Sequence, residues 1–155
     1  MRIEGTWRCT AGVHDVWAVL VDLSGWPTWW PAIREVEVTA GSPTEPQAAA
    51  ITVDTPPPLR PLTVEVTVTD LRAPSYLAAS SLHNSIGGDA VFELSEDTEA
   101  TAVRFELELE VSSPMLRPIE VVLARASSGA GRRRLARAGD DLAELAGGRP
   151  LEHQL

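Results

Sequence analysis

The chain has 155 residues, enough for one domain with a substantial core. Its formal net charge of -9 and its pI of about 4.7 argue against a nucleic-acid-binding surface and against binding to anionic membranes. The single cysteine, Cys9, excludes an intramolecular disulfide, and no run approaches the roughly 20 apolar residues of a membrane span. We therefore expect a cytoplasmic protein without stable membrane insertion.

The chain begins with an extended segment followed by helical spacing. Residues Met1–Thr10 alternate in polarity and predict a β-strand. Apolar residues then recur at the spacing of one helical face, at Val16, Trp17, Leu20 and Leu23. Ser24-Gly25 ends this helix, and Pro27 and Pro31 bound a second helix of a single turn.

Three tryptophans, Trp26, Trp29 and Trp30, share that single turn. Each buried aromatic side chain removes about 150–250 Å² from water, so the three need a large surface to pack against or a groove to line. Two interpretations follow from the residues. Either all three belong to the core, or at least one faces a cavity and contacts a ligand.

The middle of the chain has the period of β-structure. Apolar and polar residues alternate most clearly in the last of these segments, which is typical of a half-buried antiparallel strand. Irregular spacing in the first segment predicts a bulge, and Gly87-Gly88 predicts a turn or bulge. The predicted strands are Ile33–Ala40, Gln47–Asp54, Leu62–Asp70, Tyr76–His83, Ala90–Leu94 and Val103–Val111.

Helical spacing returns in the last third, from Ile119 to Leu145. Gly129 and Gly131 interrupt it, so the helix either kinks there or keeps a patch without side chains. Four arginines (Arg132, Arg133, Arg134 and Arg137) lie beside Asp140, Asp141 and Glu144, which predicts a solvated, ion-paired face. We expect one domain over residues 1–148 and a flexible tail over residues 149–155.

The order of one strand, two short helices, six strands and one long helix resembles the START-like superfamily, in particular its polyketide cyclase/dehydrase branch. The matching pieces are the Ala11-Gly12 step, Val16-Trp17, Trp29-x-Pro31 before Ile33, and the closing amphipathic helix. The similarity extends from Met1 to about Gly148. Gly12 departs from the family pattern, in which proline is common, and the paired glycines of the last helix are a second departure.

The resemblance implies an α+β helix-grip fold. In this fold a curved, seven-stranded antiparallel sheet surrounds a long C-terminal helix, with two short helices after the first strand and a hydrophobic cavity between sheet and helix. Members bind lipids or hormones, cyclise polyketides or contact chaperones, so the fold leaves the function open.

The residues themselves also predict a cavity, because large inward side chains on the sheet oppose small ones on the helix. The tryptophans could instead fill this space. The predicted ligand-binding residues are Trp26, Trp29, Trp30, Val66, Val68, Ser80, His83, Phe92, Phe105, Leu107, Leu123, Ala126 and Ala130. Ser80 and Ser81 are neighbours on one strand, so one of them faces inward, and His83 is placed at the rim.

No catalytic residue emerges from the sequence. His14, His83 and His153 have no metal-ligand spacing, and no hydroxyl or thiol has an evident base. We expect no metal and no cofactor, and a homodimer is left open. The leading hypothesis is binding of a hydrophobic or aromatic small molecule, lipid-like or polyketide-like, between sheet and helix. The alternatives are a polyketide cyclase or aromatase that acts by holding its substrate in a reactive shape, and a protein-interaction module with a filled core.

Overall fold

The structure, a computed structural model, describes residues 2–54, 60–81, 86–111 and 128–155. A short 3-10 turn, Leu23–Gly25, lies between the first two helices. In chain order the other elements are β1 (Arg2–Cys9), α1 (Val13–Val21), α2 (Trp26–Trp29), β2 (Ile33–Ser42), β3 (Glu45–Val53), β4 (Leu62–Arg72), β5 (Tyr76–Ser81), β6 (Ile86–Glu96), β7 (Thr101–Val111) and α3 (Gly129–Leu145).

The seven strands form one antiparallel sheet in the order β1-β7-β6-β5-β4-β3-β2. Strands β2 to β7 pair with their neighbours in sequence, and β1 joins the sheet beside β7. The register places Phe92 opposite both Leu77 and Phe105, and Trp7 opposite Val103, so large apolar side chains share the inner face. This arrangement confirms the predicted α+β helix-grip fold, with a curved sheet, a C-terminal helix and short helices after β1.

Glycines have different roles in β2, where one lies at an irregular strand end, and in β6, where two lie inside the strand. The bulge predicted in β2 is confirmed, because the register of β2 against β3 shifts three times, and Gly41 adopts a φ of 80° at its end. The turn predicted at Gly87-Gly88 is wrong, because both glycines pair with β7 inside β6. A Cβ atom on Gly88 would lie 2.7 Å from the backbone oxygen of Glu108, which cannot move aside, so glycine is required there.

The segment between β1 and β2 closes one end of the sheet. Helix α1 buries Val16, Trp17 and Leu20, as its spacing predicts, and its end is fixed by Gln47 of β3, whose Nε2 donates to Val21 O over 2.7 Å. Pro27 lies in the first turn of α2, and Trp30 is already extended before Pro31.

Helix α3 begins at Gly129, where the Ser128 hydroxyl accepts a hydrogen bond from Gly131 N over 3.3 Å. Its buried face consists of Gly131, Leu135, Ala138, Gly139, Leu142 and Ala143. Gly129 and Ala130 are exposed, which corrects the expectation that they thin the helix above a cavity. The part of the predicted helix before Ser128 falls outside the described residues.

The last residues of the chain, for which the sequence predicts a flexible tail, are hydrogen-bonded to β1. Thr6 and Gln154 exchange two backbone hydrogen bonds of 2.6 and 2.9 Å, and Leu151 N donates to Arg8 O over 2.8 Å. A Cβ atom on Gly5 would lie 2.8 Å from Leu155 Cδ2, so Leu155 covers this glycine. The segment therefore pairs with the free edge of β1, where unpaired backbone groups would otherwise face solvent.

Among the helices in the described parts of the chain, none combines the length and the apolar character that crossing a membrane requires.

Candidate functional site

Six aromatic side chains meet under α3. Four are tryptophans from β1 and the α2 turn, and two are phenylalanines of the sheet; they are Trp7, Trp26, Trp29, Trp30, Phe92 and Phe105. The ring centroids of Trp7 and Phe105 are 4.3 Å apart, and those of Trp29 and Trp30 are 5.4 Å apart. These distances are typical of packed aromatic pairs, so the cluster fills this part of the interior.

Hydrogen bonds fix two of the indole rings and leave a third without a partner. Trp7 Nε1 donates to Leu135 O of α3 over 2.9 Å, and Trp26 Nε1 donates to Leu20 O of α1 over 2.8 Å. Trp29 is 1 % exposed, and its Nε1 has no hydrogen-bond partner among the described residues. A buried donor of this kind costs about 1–3 kcal/mol, so the position of Trp29 is maintained by packing.

The inner face of the central strands divides into two regions. The near end is buried beneath the helices and the aromatic cluster; its residues are Val68, Leu77, Ala79, Phe92, Leu94, Val103 and Phe105. The far end is partly exposed; its residues are Val64, Val66, Ser81, Ala90, Leu107 and Leu109. The boundary falls between neighbouring inward positions of one strand, such as Phe105 and Leu107 of β7.

The structure divides the predicted site residues between these regions. Trp26, Trp29, Trp30, Val68, Phe92 and Phe105 are buried in the core, and Val66 and Leu107 lie at the far end. His83, Leu123 and Ala126 fall outside the described residues, so their predicted roles stay predictions. Ser80 and Ala130 lie off the inner face, which corrects their expected placement in a cavity.

Ser80 faces away from the interior. It pairs with Asp89 across β5 and β6, and its hydroxyl donates to Asp89 Oδ1 over 2.7 Å. Leu77 and Ala79 are buried, so strand alternation places Ser81 on the inner side. Ala130 is excluded for a different reason, since it lies on the exposed first turn of α3.

The buried polar groups near the cluster have structural partners. Gln47 binds Val21 O, and the Thr101 hydroxyl donates to Ala11 O over 2.6 Å. Burial raises the pKa of the Cys9 thiol above its ordinary value, so Cys9 is a small buried apolar side chain rather than a reactive thiol. Among the described residues, no group of three His, Cys, Asp or Glu side chains is arranged to hold a metal ion.

Two hollows lie outside the inner face. One of about 370 Å³ lies between α1, α2 and the end of α3, with Ala18, Trp29 and Leu145 in its wall. The other, of about 430 Å³, lies beside Tyr76 and Arg104. Neither includes a residue of the far end.

The comparisons with known proteins agree with this architecture. A family model described as polyketide cyclase / dehydrase and lipid transport matches residues 1–143. The chain belongs to this family. No curated protein matches the sequence.

Solved structures similar to this family member share its fold at low sequence identity. An aromatase/cyclase, Zhui, from Streptomyces sp. R1128 is 16 % identical with a TM-score of 0.71, covering 95 % of this chain and 93 % of its own. A START superfamily protein from Mycobacterium smegmatis is 17 % identical with a TM-score of 0.70, covering 92 % and 97 %. The protein TTHA0849 from Thermus thermophilus is 12 % identical with a TM-score of 0.74, covering 94 % and 97 %.

Sequence reasoning about this polyketide cyclase-type chain missed the role of Trp7 and the extent of the far end. Trp7 was visible as an inward residue of β1, but its contact with α3 depends on pairing between the two ends of the chain. Ala90 and Leu109 are inward residues of strands with clear alternation, so that signal could have included them in the site.

Proposed function

We propose that the protein binds an apolar or aromatic small molecule over the far end of the inner sheet face. The observation that carries this proposal is the partial exposure of inward apolar side chains on adjoining strands, including Val66, Ala90 and Leu107. Apolar surface on the concave side of a sheet is the usual lining of a small-molecule site. The aromatic cluster gives such a site a rigid wall, because its rings are packed against one another.

The family description supports the same class of ligand, since polyketides and lipids both present large apolar surfaces. Val66 and Leu107 keep their proposed contact with the ligand, and the tryptophans become the wall behind it. A cytoplasmic location is part of the proposal, with the single cysteine as its support.

Cyclisation of a polyketide is the alternative use of the same site, and its support is the family description. Glu96 is an inward carboxylate at the near end of β6, and its Oε2 accepts a hydrogen bond from Val13 N over 3.0 Å. Among the described residues of the far end, no carboxylate, imidazole or phenol faces inward. Simple binding therefore needs fewer assumptions than catalysis. A poly-keto substrate that is bound but converted no faster than in buffer supports binding alone, whereas accelerated ring closure supports the enzyme.

A protein-interaction role has less support. It predicts a continuous exposed apolar patch, but among the described residues the large apolar side chain classed as exposed is Leu145, at 50 %. Single exposed leucines are ordinary on protein surfaces.

The test is a titration of intrinsic tryptophan fluorescence with a panel of lipids and aromatic polyketides, paired with two variants of β6. Ala90→Phe adds a ring to the inner face at the far end, and Val91→Phe adds the same ring to the outer face. We expect binding to the wild type and at least tenfold weaker binding to Ala90→Phe, with Val91→Phe unchanged. Equal affinities for all three proteins would place the ligand elsewhere, and no binding by the wild type would reject the function.

A further inference from the structure

Helix α3 carries its charges in the order that helix electrostatics disfavours. Four exposed arginines lie in its first half, and three acidic residues lie in its second half: Arg132, Arg133, Arg134 and Arg137, then Asp140, Asp141 and Glu144. Its first turn has no acidic residue and its last turn has no basic one. Cations stabilise a helix near its C-terminal end and destabilise it near its N-terminal end, so stability does not explain this order.

Within the described parts of the chain, the arginines also lack the ion pairs that the sequence predicts. None of the ion pairs found in residues 2–54, 60–81, 86–111 and 128–155 includes these four side chains. Asp140 Oδ1 instead accepts a hydrogen bond from His153 Nε2 over 2.8 Å, because His153 Nδ1 already accepts one from Arg8 N. Arg133 Nε donates to Gly129 O over 3.3 Å, which satisfies one donor and leaves the charge uncompensated. The predicted ion-paired face is therefore wrong.

The four arginines of α3 form a positively charged region on a protein whose net charge is -9. At physiological salt, charges interact appreciably over about 8 Å, so an anion close to α3 is attracted by these arginines more than it is repelled by distant carboxylates. Guanidinium groups bind carboxylates and phosphates with paired hydrogen bonds.

The direction of α3 places the arginines toward the far end. A Cβ atom on Gly148, just beyond the helix, would lie 2.8 Å from Ala11 Cβ, and Leu135 O accepts the hydrogen bond of Trp7. The helix therefore runs from the Arg2 side of β1 toward its Cys9 side. In the sheet register Arg2 lies opposite Glu108, between the inward residues Leu107 and Leu109 of the far end.

We propose that the ligand is an amphipathic anion. Its apolar body lies on the far end of the sheet, and its carboxylate or phosphate group is bound at the start of α3 by Arg132 and Arg134, which flank the buried face of the helix. Arg133 and Arg137 lie on the opposite face and add to the local positive charge. This inference rests on the proposed function and adds the charge of the ligand to it. An anion at this position also reverses the unfavourable interaction between the arginines and the helix dipole.

The experiment compares matched ligands that differ in the head group: dodecanoic acid, dodecyl phosphate and methyl dodecanoate. Their affinities are measured by isothermal titration calorimetry with the full-length protein. We expect the two anions to bind at least tenfold more tightly than the ester in 50 mM salt, and the preference to shrink in 500 mM salt. A preference for only one anion identifies whether carboxylate or phosphate is the head group.

Two triple variants with the same net charge distinguish the effect of the α3 arginines from the effect of losing three positive charges anywhere on the protein. One replaces Arg132, Arg133 and Arg134 by glutamine; the control replaces Arg34, Arg72 and Arg104 by glutamine. The preference for anions should disappear in the first variant and persist in the control. Because glutamine is a good helix former and the replaced charges oppose the dipole, the first variant should melt no lower than the wild type.

Other outcomes overturn the inference. If the wild type binds the ester as tightly as the acids, or if the Arg132–Arg134 variant keeps its preference, the arginines do not bind the head group, although the proposed function stands. If the triple variant fails to fold, Arg132→Gln and Arg134→Gln are titrated singly, and an undiminished preference for anions in both would overturn the inference. If neither acid nor ester binds, this inference fails, and the titration with the panel of lipids and aromatic polyketides still decides the proposed function.

Discussion

The near end and the far end of the inner sheet face are built from the same strands but differ in their state. At the near end, Phe92 and Phe105 are 1 % and 0 % exposed and contact the tryptophans of β1 and α2. At the far end, Ala90 and Leu107 lie on the same two strands, two residues away from Phe92 and Phe105, and both are partly exposed. The tryptophans therefore do fill the interior, as one interpretation of the sequence holds, but in the described structure only at one end.

The near end therefore contributes mainly to the stability of the fold, and the far end provides the surface proposed for binding. The near end supplies the close packing and the hydrogen bonds that join β1 to α3 and α2 to α1. The far end leaves apolar surface that folding does not bury completely. A family fold with a packed wall and an adjoining apolar surface can change its ligand by substitutions at the far end without losing its core.

The largest expected effect is the difference in the free energy of unfolding between alanine variants of Phe105 and Leu107, two inward residues of β7. Phe105→Ala should lower the free energy of unfolding by about 3–5 kcal/mol, because it leaves a cavity inside the aromatic cluster. Leu107→Ala should cost only about 1–2 kcal/mol, because its side chain is partly exposed. Urea denaturation of both variants measures the difference. Equal losses would mean that the two ends are packed alike.

The next effect separates two glycines of α3. A Cβ atom on Gly139 would lie 2.8 Å from Trp7 Cγ and 2.9 Å from His153 Nε2, so Gly139→Ala should destabilise the protein by about 1–3 kcal/mol. Among the described residues, a Cβ atom on Gly129 would meet only Arg133 Nη2, at 4.0 Å, so Gly129→Ala should be neutral or stabilise by up to about 1 kcal/mol. Thermal melting of the two variants gives the signs. Stabilisation by both substitutions would show that Trp7 does not pack closely on α3.

The smallest effect lies within the near end itself, between Trp26 and Trp29. Trp26→Phe removes the hydrogen bond to Leu20 O, whereas Trp29→Phe removes a donor that has no partner among the described residues. We expect the first substitution to cost about 1 kcal/mol more. Trp29 is the more buried of the two, so a greater loss for Trp29→Phe, measured in the same urea titrations, would show that burial outweighs hydrogen bonding here.

Local patterns explain why much of the fold could be predicted. Strand β7 alternates over its whole length, α1 has one apolar face, and Pro27 and Pro31 bound α2, so each element follows from nearby residues. Where a pattern was ambiguous, the prediction failed. Small residues occupy both faces of β5, so the pattern could not tell which of Ser80 and Ser81 faces inward. The pair Gly87-Gly88 has the composition of a turn, but it lies inside β6, where β7 leaves no room for a side chain at Gly88.

The sequence by itself determined the order of the elements, the family resemblance and the apolar character of the inner face, because these depend on spacing along the chain. Only the tertiary structure decided which end of that face is filled, that residues 149–155 pair with β1, and that the arginines of α3 form no ion pair with any other described residue. The reason is physical: burial and charge compensation depend on residues that are distant in sequence, such as Trp7 and Leu135, and no local pattern records which of them meet.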